Sequence, residues 1–170
     1  MDQSIIATYA TSFRAQLYLH EAGRNTPLRL SRTRDKFSWG VTPEYDWLQT
    51  GGDEPSLVIS FDYHSMDENR LHYHLHIPGP PKTATGPLVP RRLDASMNGY
   101  LGFYWREEVT DYWKVEPLQE TKGGLLCHLR DHRGYKVATL QDNPHHKPGR
   151  FNYLNVSEGE TATFLLQKTS

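Results

Sequence analysis

The chain has 170 residues, and its 19 lysines and arginines nearly balance its 20 aspartates and glutamates, giving a formal net charge of -1. Such a length suits one domain with a substantial core, and an aromatic content of 12% excludes a disordered chain. The near-zero charge excludes general nucleic-acid binding, because a protein that holds the phosphate backbone needs a basic surface.

The amino-terminal stretch, MDQSIIATYATSF, has neither the basic segment nor the long apolar segment of a signal peptide. Further along the chain, no run of residues approaches the roughly 18 apolar residues of a membrane-spanning helix. The single cysteine, Cys127, excludes an internal disulfide framework. These features predict a protein without a membrane span, located in the cytoplasm or secreted without a leader.

From residue 14 onward, short segments of alternating apolar and polar residues follow one another between glycines and prolines. Alternation with a period of two is typical of β-strands with one buried face, and no long stretch has the spacing of an amphipathic helix. We therefore predict an all-β fold with twelve strands, at residues 14–21, 27–31, 37–41, 56–63, 71–77, 87–91, 99–105, 111–118, 124–130, 135–140, 151–156 and 161–168.

Three of these segments share one pattern, an alternating strand that runs into a turn containing glycine. The segments are AQLYLHEAG, LHYHLHIPG and LLCHLRDHRG, and they place Leu19, Leu75 and Leu129 at equivalent positions. The strands that follow match in order as well, and such self-similarity is the mark of a repeat architecture. It predicts three four-stranded repeats, at roughly residues 13–63, 70–118 and 123–168.

Three four-stranded units of this length resemble the β-trefoil superfamily. The third unit, GLLCHLRDHRGYKVATL followed by FNYLNV and TATFLLQK, is most similar to a fascin-type repeat. The resemblance implies a β-trefoil in which the first and fourth strands of each unit form a barrel and the second and third form hairpins that cap one end. The alternative is a β-sandwich whose repetition arises by chance.

The predicted strand LHYHLHI carries three histidines, His72, His74 and His76, on one face. Alignment with the other units places these histidines on the outer wall, where solvation is the main interpretation. Neighbours on one face of a strand lie roughly 6.5–7 Å apart, so at most two of the three could share a metal ion with a ligand from elsewhere. The alternatives are adventitious binding of a divalent metal, a functional metal site, and a wall that becomes positively charged at acidic pH.

Aromatic residues beside short polar residues indicate a sugar site, because sugars stack their C–H faces on rings and form hydrogen bonds through their hydroxyls. Trp47 is the aromatic residue least explained by the core, since it lies in TPEYDWLQTGGDEPS, a loop inserted into the first unit. Loops that depart from a repeat are common carriers of function. The candidate ligand-binding residues are Asp46, Trp47, Trp105, Asp111, Tyr112, Asn143 and His145.

Signals for catalysis are scarce in this sequence. Cys127 falls at an inward position between Leu125 and Leu129, so we predict a core residue rather than a nucleophile, and no GxSxG or phosphate-loop motif is present. We therefore favour a non-enzymatic, carbohydrate-binding, lectin-like protein without a cofactor. The alternatives are a protein-binding trefoil, acting as a protease inhibitor or cytoskeletal binder, and a metal-dependent enzyme that uses the histidine row. The partner is thus a glycan or a protein, and the oligomeric state stays open.

Overall fold

The structure of the protein is a computed structural model that describes residues 1–31, 46–78, 86, 90–105, 111–142 and 151–169, except the side chains of Asp46, Trp105 and Phe151. Within these residues the chain forms one helix and thirteen strands. Their bounds are α1 Gln3–Tyr9, β1 Phe13–Glu21, β2 Arg24–Leu30, β3 Asp46–Thr50, β4 Val58–Met66, β5 Leu71–Ile77, β6 Arg91–Ala95, β7 Leu101–Trp105, β8 Trp113–Thr121, β9 Gly124–Arg130, β10 Ala138–Asp142, β11 Phe151–Asn155, β12 Glu160–Thr161 and β13 Phe164–Lys168.

The amino-terminal helix α1 was not predicted from the sequence. Asp2 caps it, because its side chain accepts a hydrogen bond from the Ser4 amide at 2.9 Å. Ile5 and Tyr9, one turn apart, are both buried in the core, and the Tyr73 hydroxyl donates to the Tyr9 carbonyl. A helix of seven residues is too short for its apolar spacing to stand out, so tertiary contacts rather than periodicity account for it.

The core contains the apolar residues that the alternating sequence pattern predicts to face inward. β1, β5 and β9 bury every second residue, and the inward positions predicted on these strands are confirmed; they are Ala15, Leu17, Leu19, Leu71, Tyr73, Leu75, Leu125, Cys127 and Leu129. The prediction that Cys127 is a core residue is confirmed too, and burial raises the pKa of its thiol to about 12. A thiol with such a pKa is almost wholly protonated near neutral pH and is a poor nucleophile.

The sheet closes on itself, and its path corrects the trefoil prediction. One antiparallel circuit runs β1–β2–β3–β7–β6–β5–β8–β9–β13 and returns to β1. β4 pairs with both β1 and β5 within this circuit, while β10, β11 and β12 extend from β3. The protein is therefore all-β, as predicted, but it is a closed nine-strand barrel with extra strands and not a three-repeat β-trefoil.

The β-trefoil prediction is wrong largely because of β3, whose residues the sequence pattern assigns to an inserted loop. Two consecutive residues, Leu48 and Gln49, are buried there, so the strand lacks alternation. Leu48 joins the core, and the Gln49 amide donates to the Tyr153 hydroxyl at 3.0 Å. β3 pairs with β2, β7 and β11, one strand from each predicted unit, so hydrogen bonds join the units into one sheet. The predicted strand at 37–41 and residues 87–89 lie outside the described residues.

Candidate ligand-binding clefts

Two tight turns meet at one surface of the barrel. The turn between β6 and β7 closes when the Gly99 amide donates to the Ser96 carbonyl at 2.9 Å and the Tyr100 amide to the Ser96 hydroxyl at 3.1 Å. The turn after β11 closes on Asn155, whose side-chain oxygen accepts from the amides of Ser157 and Glu158 at 2.7 and 2.9 Å. Both turns are therefore held in shape by local hydrogen bonds.

The same buried Asn155 joins the two turns. Its side-chain amide donates to the Asn98 carbonyl at 3.2 Å, and the Val156 amide donates to the Gly99 carbonyl at 2.9 Å. Gly99 has a φ of 86°, and a Cβ at this position would lie 2.4 Å from the Ser157 hydroxyl oxygen. The two turns therefore come so close at this position that only glycine fits there. We call residues 96–99 and 155–158 together the ridge.

A polar cleft of about 320 Å³ lies on one side of the ridge. It is the first cleft, and its other walls come from residues 111–113 at the start of β8 and residues 131–133 after β9. Its lining residues are Asp94, Ala95, Ser96, Met97, Gly99, Asp111, Tyr112, Trp113, Asp131, His132, Arg133, Val156 and Ser157. The cleft thus combines charged groups, hydroxyls and aromatic rings. The four chain segments that build it come from separate parts of the sequence.

The turn Asp131–Tyr135 presents two side chains of the first cleft. Buried Asp131 accepts the backbone amides of Arg133 and Tyr135 at 3.0 and 2.9 Å. Its other oxygen binds the Arg133 guanidinium at 2.9 Å, and that group also lies 4.7 Å from the centre of the Tyr135 ring. Arg133 is therefore held in place while 55% of its side chain remains exposed, so its outer N–H groups can donate to a ligand.

An acid and a histidine lie in contact in the lining of the first cleft. The Asp111 carboxylate lies 3.5 Å from His132 Nδ1, and their side chains are 65% and 41% exposed. Groups this exposed remain accessible to a ligand, and an ion pair between them contributes little to stability. Asp111 was predicted as a ligand-binding residue, whereas His132 and Arg133 were missed, although the turn DHRG that holds them was visible in the sequence.

A second cleft of about 340 Å³ lies on the other side of the ridge. Its lining residues are Met97, Asn98, Tyr100, Leu140, Asn155, Ser157 and Glu158. The Tyr100 hydroxyl donates to Asp142, and burial together with this hydrogen bond raises the pKa of Tyr100. Trp47, the most strongly predicted aromatic residue, stacks on the Tyr100 ring with centroids 4.5 Å apart. It packs edge-on against Tyr153 as well, so it supports the wall of the second cleft.

The histidine strand β5 lies beside the first cleft and differs from the solvated wall expected. His72 is buried, with Nδ1 2.9 Å from the Ser65 hydroxyl and Nε2 3.2 Å from the Asp67 carboxylate. Burial is the main cause of a lowered pKa at His72, and together with the nearby charges of Lys114 and His64 it outweighs the opposing effect of Asp67. For Asp67 itself, partial burial raises the pKa, but hydrogen bonds from two backbone amides and His72 outweigh it and leave it lowered.

The other two histidines of the row have different neighbours. His76 Nε2 lies 2.9 Å from the Asp62 carboxylate, whereas the His74 ring meets the His64 ring edge-on at 5.4 Å. Burial is the main cause of a lowered pKa at His74. Within the described ranges, no three His, Cys, Asp or Glu side chains come together as a metal ion would need. The metal site at His72, His74 and His76 gains no support there and stays a prediction.

Tyr112 links the histidine strand to the first cleft. Its ring stacks on His64 and on His72, with centroid distances of 4.8 and 4.7 Å, and it also lines the first cleft. Part of the ring surface predicted for a sugar is therefore covered by imidazole. The residue is nevertheless held rigidly at the cleft wall next to Asp111.

The structure does not describe the side chains of the other four predicted ligand-binding residues. Asp46 pairs with Phe103 in the β3–β7 ladder and Trp105 pairs with Arg91 in the β6–β7 ladder. Asn143 and His145 lie outside the described residues. Of the seven predictions, the structure brings Asp111 and Tyr112 together in the first cleft and places Trp47 behind the second.

No protein-family model matches the chain, and neither a curated protein nor a solved structure matches it. In the part of the chain that the structure describes, no helix has the length and apolar content needed to cross a membrane.

Proposed function

We propose that the protein binds carbohydrate, without catalysing a reaction, and that the first cleft is the binding site. The observation that carries this proposal is the convergence of Asp111, His132 and Arg133, all exposed to solvent, with the stacked Tyr112 ring around about 320 Å³ of space. Ligand pockets are commonly about 300 Å³ or larger and combine flat apolar surface with a few placed polar groups.

The chemistry of these side chains suits hydroxyl groups. A carboxylate accepts two or more hydrogen bonds and a guanidinium donates several, so Asp111 and Arg133 can both bind sugar hydroxyls. The exposed part of the Tyr112 ring offers an apolar surface for C–H groups. The Asp131 hydrogen bonds hold Arg133 before a ligand arrives, and such preorganisation lowers the entropy lost on binding.

A glycan array, read with the labelled full-length protein, tests the proposal. We expect binding to at least one glycan, and the Asp111→Asn and His132→Ala variants should each weaken it about tenfold or more, the loss of one or two hydrogen bonds to a charged group. The matched control is Asp53→Asn, which removes another exposed carboxylate from a bend outside both clefts. It should bind as the unmodified protein does.

A second readout uses the indole of Trp113, which lines the first cleft and donates to the Leu93 carbonyl at 3.0 Å. A bound glycan should change its fluorescence and raise the melting temperature. An array without signal would refute carbohydrate binding, and a signal unaffected by Asp111→Asn and His132→Ala would exclude the first cleft as the site.

A further inference from the structure

The two clefts are neighbours across a single ridge. Met97 and Ser157 line both of them, so a ligand that leaves one cleft over the ridge enters the other. Met97 stands fully exposed at the top of this crossing. Its thioether side chain is flexible and apolar, which suits contact with C–H groups in several orientations.

Both clefts offer the same kind of chemistry. The second cleft presents the exposed polar side chains of Asn98, Ser157 and Glu158, as the first presents those of Asp111, His132 and Arg133. Volumes of about 320 and 340 Å³ put each cleft at the small end of ligand pockets. Two similar small sites joined by an apolar crossing suit a ligand made of repeated hydroxyl-bearing units.

The charges of the two clefts favour a neutral ligand. Among the described residues that line the first cleft, Asp111 presents an accessible carboxylate, whereas the buried carboxylate of Asp131 is already paired with Arg133. The second adds the carboxylate of Glu158. An anionic sugar would meet like charges at both sites, and juxtaposed like charges oppose binding.

We infer that the two clefts bind one neutral, linear oligosaccharide that crosses the ridge over Met97. This inference rests on the proposed function and adds the length and charge class of the ligand. It predicts that affinity rises with chain length, because only an oligosaccharide reaches both clefts and gains the effective concentration of a tethered second contact.

The test uses an array that carries neutral mono-, tri- and hexasaccharides of the same linkage, for several linkages, beside sialylated and sulfated forms. For a linkage that binds, we expect about tenfold stronger binding of the hexasaccharide than of the monosaccharide, as a modest second contact provides. Sialylated and sulfated forms should bind more weakly than their neutral counterparts.

Variants separate the two clefts and the crossing. The double variant Asn98→Ala, Glu158→Gln should weaken hexasaccharide binding about fivefold and change monosaccharide binding less than about twofold, as lost surface hydrogen bonds would. Met97→Ala should also weaken the hexasaccharide, and because Met97 lines the first cleft as well, this variant tests the crossing on the hexasaccharide alone. Met66→Ala, which removes another exposed methionine at the end of β4, is the matched control and should leave both unchanged.

The outcomes distinguish this inference from the proposal on which it rests. An array without any signal overturns both. Equal binding of mono- and hexasaccharides, a hexasaccharide signal unaffected by the double variant, or a preference for sialylated or sulfated glycans overturns the inference and leaves carbohydrate binding at the first cleft standing.

Discussion

The histidine strand and the first cleft lie side by side and carry the same kinds of side chain, yet they use them differently. On β5, His72 is 9% exposed and lies between Ser65 and Asp67. In the cleft, His132 is 41% exposed and has Asp111 at 3.5 Å. Burial makes His72 a part of the fold, whereas His132 and Asp111 of the cleft remain accessible for a ligand. The exposure of a histidine therefore tells more about its function than its place in a row of histidines does.

The largest effect should come from the ridge that forms one wall of the cleft. Gly99→Ala places a Cβ 2.4 Å from the Ser157 hydroxyl at a φ of 86°, and we expect the free energy of unfolding to fall by about 3 kcal/mol. Gly23→Ala is the control, because Gly23 has a φ of 74° but nothing within 4 Å. It should cost only about 1 kcal/mol. Urea unfolding measures both, and equal losses would contradict the close packing of the ridge.

A matched histidine pair tests the comparison directly. His72→Ala removes a buried ring with two polar contacts, so the free energy of unfolding should fall by about 2 kcal/mol. His132→Ala should change it by less than about 0.5 kcal/mol, as is usual for exposed sites, while weakening glycan binding. If the two variants lose equal stability, the distinction between a structural strand and an accessible cleft fails.

Tyr112 belongs to both regions, and its ring rather than its hydroxyl should support the fold. Tyr112→Leu loses the stacking on His64 and His72, which should lower the free energy of unfolding by about 1 kcal/mol. Tyr112→Phe keeps the ring and should stay within about 0.5 kcal/mol of the unmodified protein. Thermal unfolding of the two variants checks this, and a loss in Tyr112→Phe as large as in Tyr112→Leu would assign the role to the hydroxyl.

We expect the smallest effect from pH. Burial lowers the pKa of His72 and His74 below 6.5 in the folded protein, so between the lowered values and 6.5 the unfolded chain binds more protons. The free energy of unfolding should therefore fall as the pH drops through this window. Urea unfolding at pH 7.5, 6.5 and 5.5 measures it, and His74→Gln should reduce the loss. Stability that stays constant from pH 7.5 to 5.5 would contradict the burial of these imidazoles.

The sequence predicted some residues of the first cleft and missed others. Asp111 and Tyr112 were found because an aromatic residue beside an acid is a local pattern, and both line the first cleft. His132 and Arg133 were missed, since their exposure depends on buried Asp131 organising the turn around itself. Trp47 was taken for a loop residue because β3 buries two consecutive residues and so lacks the period of a strand.

The sequence by itself determined the all-β character, the inward faces of β1, β5 and β9 and the inert position of Cys127, because alternation is a property of neighbouring residues. Only the tertiary structure decided that the sheet closes through nine strands rather than as three repeats. It likewise decided that His72 is buried and that residues 94–99, 111–113, 131–133 and 156–157 meet around one cleft. Strand order and the meeting of distant turns depend on pairing and packing between segments far apart in the chain, and no local pattern records them.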